Sequence, residues 1–146
     1  MKAFLDTNVL LDILIPKRPA HEDSLLVLRL AKERQIELQV STQSLTDTQY
    51  ILVKERNSFP VFSEMVRWML NHINVDGPDS FQLRDAIEGH TGDFEDDLHY
   101  AYALDNACDV IITGDRKFIE RKKSGDILMM TPEEFVGKCG SNSPTA

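Results

Sequence analysis

The chain has 146 residues, of which 42% are hydrophobic and 27% are charged, a balance that suits one folded domain and excludes a disordered or fibrous protein. Asp and Glu outnumber Lys and Arg by 24 to 16, so the net charge of −8 excludes a basic protein that simply coats nucleic acid. A nucleic-acid enzyme stays open, because acids gathered at a metal site would account for part of this negative excess.

The two cysteines and the first residues indicate the cellular compartment in which the protein is expected. Cys108 and Cys139 lack the close spacing of metal ligands, although one disulfide could join them on paper. Asp6 stands where an export signal would need an apolar region, and Asp12 interrupts the apolar stretch 9–15, which is too short to span a bilayer. We therefore expect reduced thiols, a cytoplasmic protein and no membrane association.

The first half of the chain alternates between strand-like and helix-like patterns. Phe4 and Leu5 form a short apolar run that stops at Asp6, as a brief buried strand does. In chain order, the following patterns predict an amphipathic helix around 25–31, a strand at 36–40, helices over 41–54 and 59–73, and a short strand at 73–75.

The second half continues this alternation. A helix is predicted over 80–88, a stronger one begins at Asp93, and strands are predicted at 110–112 and 127–130. Thr131 is placed to cap a last helix, with Pro in its first turn and Glu at its third position. Strands that alternate with helices predict an α/β fold with a mostly parallel sheet, whose functional sites lie beyond the carboxyl ends of the strands.

Acidic residues stand near several of those carboxyl ends. Asp6 ends the first strand, Asp115 follows the fourth, Asp47 lies in the helix after the second, and Asp96 and Asp97 open the long helix that leads to the fourth. Like charges that meet at one sheet edge raise pKa values or bind a cation. Oxygen ligands suit Mg²⁺ or Mn²⁺ better than zinc, and such an ion can activate water and neutralise a phosphodiester, as in metal-assisted nucleases.

Four motifs, through their order and spacing, carry a family resemblance. They are Phe4-Leu-Asp-Thr-Asn-Val-Leu-Leu-Asp12, Asp93-Phe-Glu-Asp96 with Ala101, Ala103 and Leu104 after it, Val110-Ile-Ile-Thr-Gly-Asp-Arg-Lys-Phe118, and Leu128-Met-Met-Thr-Pro-Glu-Glu-Phe135. Together they resemble the PIN domain, the fold of many small bacterial and archaeal toxin ribonucleases of the VapC type. The resemblance implies a three-layer α/β/α fold with a central, mostly parallel sheet over residues 1–137, and the composition after it predicts a disordered tail at 138–146.

The resemblance also implies a role for each acid. Asp6, Asp96 and Asp115 correspond to metal-binding acids, and together with Asp47 they would be the catalytic residues. Asp47 stands where the family usually has Glu, so its side chain is one methylene shorter, which could alter the metal spacing or require a bridging water. Lys117 stands where some members have a further acid.

Polar neighbours and a basic run complete the expected site. By the same resemblance, Thr7 and Asn8 would orient Asp6 or a ligand water, and Thr113 would hydrogen-bond near Asp115. A basic run after Asp115 could hold an RNA backbone beside the metal, or it could be a solvated surface helix or loop. Its members are Arg116, Lys117, Arg121, Lys122 and Lys123.

The function that follows is a Mg²⁺- or Mn²⁺-dependent endoribonuclease that hydrolyses RNA phosphodiester bonds to 5′-phosphate and 3′-hydroxyl ends. The resemblance implies that it is the toxin of a toxin–antitoxin pair, with a protein antitoxin as partner and often a homodimer. A catalytically degenerate PIN-like module that binds RNA or protein is the alternative, and the shortened acid at Asp47 is its best support.

Capping offers a second explanation for the acids. The Asp6-Thr7-Asn8 segment could be a strand-to-helix turn, and acids in the first turn of a helix favour the positive end of its dipole. Capping does not explain why three such sites fall at matching topological positions. Phosphoacceptor domains are disfavoured, because Asp6 stands alone after the first strand and residues 6–10 lack an Asp-x-Asp-x-Thr motif.

Overall fold

Five parallel strands form the centre of the computed structural model, which describes residues 1–54 and 58–141. The strands are β1 (Lys2–Leu5), β2 (Glu37–Ser41), β3 (Asn74–Asp76), β4 (Val110–Ile112) and β5 (Leu128–Met130). Their order across the sheet is β3-β2-β1-β4-β5, and each neighbouring pair is parallel. The predicted α/β fold with a parallel sheet is therefore confirmed.

Helices connect and cover the strands. They are α1 (Thr7–Leu14), α2 (His21–Glu33), α3 (Thr42–Leu52), α4 (Ser58–His72), α5 (Ser80–Glu88), α6 (Phe94–Asp105), α7 (Arg116–Lys122) and α8 (Pro132–Ser141). The basic run after Asp115 lies in α7 except for Lys123, which caps the end of that helix. Because α8 continues to Ser141, residues 138–141 of the expected tail are helical, and residues 142–146 lie outside the described residues. In the described ranges, no helix combines the length and the apolarity needed to cross a membrane.

The two faces of the sheet bury separate apolar clusters, because side chains alternate along each strand. On β1, Ala3 and Leu5 enter one cluster with residues of α1, α2, α4 and α8, whereas Phe4 enters the other. On that opposite face, Phe4 meets Tyr102 of α6 and Phe118 of α7. This arrangement forms the three layers that the family resemblance implies. Helices α6 and α7 pack side by side on one face of the sheet.

The chain order of the strands creates a crevice beside β1. The chain runs from β1 outward to β2 and β3, and then crosses to the other side of β1 to form β4 and β5. At such a switch point the loops after the two central strands diverge and leave a crevice at their carboxyl ends. Residues that follow β1 and β4, at Asp6 and Thr113, therefore flank the crevice.

Asp12 is buried in α1 rather than solvated, as its charge alone would suggest. Its carboxylate accepts hydrogen bonds from Arg18 Nε at 2.7 Å and from Ser24 Oγ at 3.0 Å. The Nδ1 atom of His21 lies 2.7 Å from the Asp12 carbonyl oxygen. These contacts join the end of α1 to the start of α2, so Asp12 is a structural residue.

We expect Asp12→Asn to lower the free energy of unfolding by about 1–2 kcal/mol, because the amide loses the charge that Arg18 pairs with and one acceptor oxygen. Urea denaturation measures this loss. Glu33→Gln is the matched control, since its 3.8 Å pair with Arg29 is exposed on both sides and should contribute less than about 0.5 kcal/mol. Equal losses in the two variants would contradict a structural role for Asp12.

Candidate active site

Asp6 lies at the switch point, where β1 ends and α1 begins. Its side chain caps α1 by accepting a hydrogen bond from Thr7 N to Oδ1 at 2.8 Å. Burial raises the pKa of the Asp6 carboxyl, but the nearby His99 and hydrogen bonds from Thr113 and Thr7 outweigh it, and the pKa lies below its ordinary value. Asp6 is therefore a buried anion at the mouth of the crevice.

A hydrogen-bonded bridge joins Asp6 to the loop after β4. Thr113 Oγ1 donates to Asp6 Oδ2 at 2.7 Å and accepts from the amide nitrogen of Asp115 at 3.1 Å. Asn8 Nδ2 donates to both Asp6 Oδ2 and Thr113 Oγ1, at 3.1 and 3.0 Å, while Asn8 Oδ1 accepts from Gly114 N at 2.7 Å. The residues expected to support the site thus fix the two loops against each other.

Asp115 continues this bridge into α7. It caps the helix, and its Oδ1 accepts from Lys117 N at 3.0 Å and from Phe118 N at 3.3 Å. Both of these hydrogen bonds end on Oδ1, so the carboxylate keeps acceptor capacity on Oδ2. Capping and a role at the site are therefore compatible for this residue.

Asp96 reaches the same region from the first turn of α6. Its carboxylate is mostly buried and forms an ion pair with the guanidinium of Arg121 on α7. Burial and the charges of Asp93, Asp6 and Asp115 raise the pKa of Asp96 to about 7, although Arg121 opposes them. The structure therefore brings Asp6, Asp96 and Asp115 within electrostatic range of one another.

Asp47 and Glu95 form a second acidic pair beside the first group. Asp47 lies half-buried on α3, and the Glu95 side chain of α6 is within hydrogen-bonding range of it. Partial burial of the carboxyl group raises the pKa of Glu95. The charge of His99 lowers this pKa, whereas the neighbouring Asp47 raises it further. Glu95 was not expected in the site, and it places a Glu carboxylate next to the shortened acid at Asp47.

His99 is a buried polar residue that faces Asp6 from the second turn of α6, with 1% of its surface exposed. Its ring packs against Phe4 of β1 at 5.5 Å between ring centroids. Nδ1 lies 3.3 Å from Asp6 Oδ1 but outside hydrogen-bond geometry, and Nε2 lies 3.4 Å from Ser44 Oγ. Burial lowers the pKa of His99, but the surrounding carboxylates, Asp6 first, raise it above its ordinary value.

The basic run of α7 divides into residues bound to acids and residues facing solvent. Arg121 pairs with Asp96, and Lys122 lies 3.0 Å from the buried Asp97 and 4.8 Å above the Tyr100 ring. The other three side chains are exposed: Arg116 pairs with Glu134, Lys123 pairs with Glu120, and Lys117 makes no ion pair within the described ranges.

Unsatisfied polar atoms concentrate at this edge of the sheet. Thr7 Oγ1, His99 Nδ1 and Arg121 Nε are buried without a hydrogen-bond partner, and the described residues hold one further such atom, in Gln49. Two of the three belong to ion-paired side chains, since His99 Nδ1 faces Asp6 and Arg121 pairs with Asp96, so the charges at this edge of the sheet are compensated even where hydrogen bonds are not formed.

The donor set fits a divalent cation that is bound partly through water. Within the described ranges, no three acidic, histidine or cysteine side chains converge closely enough to hold a metal ion as they stand. Mg²⁺ is commonly held by one or two carboxylates and keeps several of its waters, so it does not require three convergent side chains. Asp6, with Asp96 and Asp115 in electrostatic range, supplies the oxygen chemistry that such an ion prefers.

Comparison with known proteins identifies the family. A family model described as PIN domain matches residues 2–117, most of the chain. Ribonuclease VapC1 of Aquifex aeolicus (strain VF5) is 29% identical over 141 residues, which span 92% of this chain and 92% of that protein.

Solved structures share the fold. VapC20 of Mycobacterium tuberculosis, described as a Sarcin-Ricin loop cleaving toxin, superposes with a TM-score of 0.65 at 15% identity over 81% of this chain and 93% of that one. VapBC2 of Rickettsia felis, solved bound to a DNA fragment from its promoter, gives a TM-score of 0.63 at 17% identity over 88% of this chain and 97% of that one. Identities this low establish a common fold and no more.

Proposed function

We propose, from the premise that this chain belongs to the PIN-domain family, that it is a divalent-metal-dependent endoribonuclease. The observation that carries the proposal is the buried, ionised Asp6 at the switch point, bridged by Thr113 to the loop that holds Asp115. The similarity to a protein described as a ribonuclease supports the same reaction class.

Asp6, Asp96 and Asp115 are the residues that would hold Mg²⁺ or Mn²⁺, with Asp47 as a fourth catalytic acid. A bound divalent ion supplies an acidified water and positive charge beside the scissile phosphate. The chain itself contributes positioning: Thr113 and Asn8 fix the Asp6 carboxylate, and the α7 cap fixes Asp115. Glu95 adds a carboxylate beside Asp47, which supports an active site rather than a degenerate one.

RNA would approach along the exposed side of α7. Arg116, Lys117 and Lys123 face solvent there, whereas Arg121 and Lys122 are paired with acids of α6. The exposed cations would attract phosphates and position the strand without reading its sequence.

Lys117→Ala is expected to weaken binding of single-stranded RNA about two- to fivefold, because one phosphate contact is lost. For the same reason, the slope of log Kd against the logarithm of the salt concentration should fall by about 0.7. Fluorescence anisotropy in an Asp6→Asn background measures binding without cleavage. Lys32→Ala is the matched control, since Lys32 is exposed near the end of α2, before β2 begins at the opposite edge of the sheet. If the affinity and its salt dependence were unchanged, Lys117 would not contact the RNA.

The decisive experiment is cleavage of a panel of single-stranded and structured RNAs in Mg²⁺, Mn²⁺ or EDTA, with the product ends identified. Cleavage that requires metal and leaves 5′-phosphates supports the proposal. Binding of RNA without cleavage, by folded protein loaded with metal, would instead support a PIN-like binding module. Cleavage that persists in EDTA would refute the role assigned to the acids.

The proposal extends to partners and compartment. A toxin of this kind would be blocked by a protein antitoxin and could pair as a homodimer, and exposed apolar side chains on α4, including Phe59, Val61 and Leu70, offer a surface for either contact. Cys108 and Cys139 are buried free thiols, and burial raises the pKa of Cys108 to about 11, which suits the reducing cytoplasm.

A further inference from the structure

A cavity lies between α8 and the strands β4 and β5, on the opposite face of the sheet from α6 and α7. Its volume is about 330 Å³. The buried part of its lining is apolar and consists of Val110, Met130, Phe135 and Cys139. Sites that bind small molecules in proteins have volumes of about 300–1,000 Å³ and mostly apolar walls, so this cavity is large enough for a small ligand.

The mouth of the cavity carries apolar side chains that are exposed to solvent. Leu128 of the edge strand β5 is 47% exposed, and Met1, which precedes β1, is 62% exposed. Edge strands normally carry charged side chains where they meet solvent, so a leucine at this position is unusual. An apolar molecule that entered beside Leu128 and Met1 would remove their surface from water together with its own, which favours binding.

The charges around the cavity favour an anion. Arg34, at the end of α2, and Lys138, on α8, both line it, and Arg34 Nη2 donates a hydrogen bond to the Cys139 carbonyl oxygen at 2.8 Å. Asp109 is the one acid among the described residues of the lining, and its carboxylate accepts from Lys2 N at 2.8 Å. Cations therefore outnumber acids here, although the whole chain has a net charge of −8.

We propose that this cavity binds a small amphipathic carboxylate, with its apolar body between Val110, Met130 and Phe135 and its carboxylate at Arg34 and Lys138. The planar fork of a guanidinium group suits a carboxylate. An apolar cavity of about 150 Å³ takes up benzene, so a cavity about twice as large suits a body of roughly eight to twelve carbon atoms.

The inference goes beyond the proposed nuclease and does not rest on it. In the described ranges, the residues that line the cavity include none of the acids assigned to the crevice. Loss of RNA cleavage in Asp6→Asn would therefore leave this binding site unaffected, and absence of carboxylate binding would leave the nuclease unaffected.

Methionine methyl resonances of the full chain, followed by NMR during a titration with octanoate, test the proposal. Met130 lines the cavity, whereas Met129, the next residue of the same strand, enters the apolar cluster on the other face and is an internal control. We expect a saturable shift of the Met130 methyl signal, with Kd below about 1 mM, and no shift of Met129. Met130→Leu assigns the signal.

The charge of the ligand and of the mouth is tested separately. Octanol and octylammonium carry the same chain, and each is expected to bind at least about fivefold more weakly than octanoate. Lys138→Gln is expected to weaken octanoate about three- to fivefold and to leave octanol unchanged. Lys54→Gln is the matched control, because Lys54 is exposed after α3, and it should leave both affinities unchanged. Thermal unfolding verifies that each variant is folded.

Three results would overturn the proposal. The first is a Met130 signal that does not move, or that moves no more than the Met129 signal. The second is equal affinity for octanoate, octanol and octylammonium, which would show that the cavity does not select a carboxylate. The third is a Met130 signal that shifts with protein concentration in the absence of any ligand, because a second copy of the chain would then cover the cavity.

Discussion

Asp6→Asn is expected to reduce RNA cleavage at least ~100-fold, the largest effect of any single substitution in the crevice. The carboxylate is buried, ionised and surrounded by donors from Thr7, Asn8 and Thr113. An asparagine of the same shape loses the charge that would hold a cation. It also turns an NH₂ group toward one of these donors.

Cleavage rates under single-turnover conditions in Mn²⁺ measure this effect. Asp109→Asn is the matched control, because Asp109 precedes β4 at the opposite edge of the sheet, where its carboxylate accepts from Lys2 N. That variant should cleave at the wild-type rate. If Asp6→Asn, folded as judged by circular dichroism, kept more than about a tenth of the activity, Asp6 would not be at the centre of the reaction.

Neighbouring acids on α6 are expected to have opposite effects on the stability of the metal-free protein. Asp96→Asn should raise the free energy of unfolding at about pH 8 by roughly 2 kcal/mol, because a pKa near 7 means that the fold disfavours the ionised carboxylate. Asp97→Asn should lower it by a similar amount. Hydrogen bonds from Thr91 and Lys122 outweigh burial there and lower the pKa of Asp97.

The pH dependence separates the two cases. The ionised Asp96 carboxylate lowers the free energy of unfolding. This penalty is absent below the unfolded pKa of 3.8, grows as pH rises, and is complete above about 7. Asp96→Asn therefore raises the free energy of unfolding less when it is measured at about pH 4.5. For Asp97, the stabilisation is present above 3.8 and is lost only as pH falls below it. Urea denaturation in EDTA at both pH values gives the comparison, and a loss of stability in Asp96→Asn at about pH 8 would contradict it.

A higher free energy of unfolding in Asp96→Asn would mean that Asp96 destabilises the metal-free wild-type protein. A residue that destabilises the empty fold but would bind a cation belongs to a site rather than to the scaffold. The adjacent Asp97 is the structural counterpart, since it is bonded to Thr91 and Lys122 and is turned away from the crevice acids.

Periodicity and capping patterns predicted the α/β class and the parallel sheet, whereas the three-layer arrangement was implied by the family resemblance. The β-branched run at Val110–Ile112 is a strand at the predicted bounds, and Ser80–Glu88 is a helix at the predicted bounds. Thr131 accepts from Glu134 N and donates to its carboxylate, as the predicted cap requires. These features depend on neighbours within a few residues, so a sequence displays them directly.

The site was only partly predictable, because its contacts join distant segments. The positions of Asp6 and Asp115 follow from strand ends, which the pattern reveals. The pairing of Arg121 with Asp96, the approach of Glu95 to Asp47 and the turn of His99 toward Asp6 depend on how α6 and α7 rotate on the sheet. The one available signal was spacing: His99 follows Asp96 by three residues, about one turn, and so shares its face of the helix.

The central place of β1 has a consequence for how the protein is made. Thr113, which holds the Asp6 carboxylate, lies 107 residues after it in the chain, so β4 pairs with β1 only after the intervening residues have been made. Contacts this distant in sequence form late in folding. A nascent chain interrupted before β4 therefore carries the first acid of the proposed nuclease without the loop that completes its crevice, so the assembled site does not exist in the cell until β4 and that loop have been made.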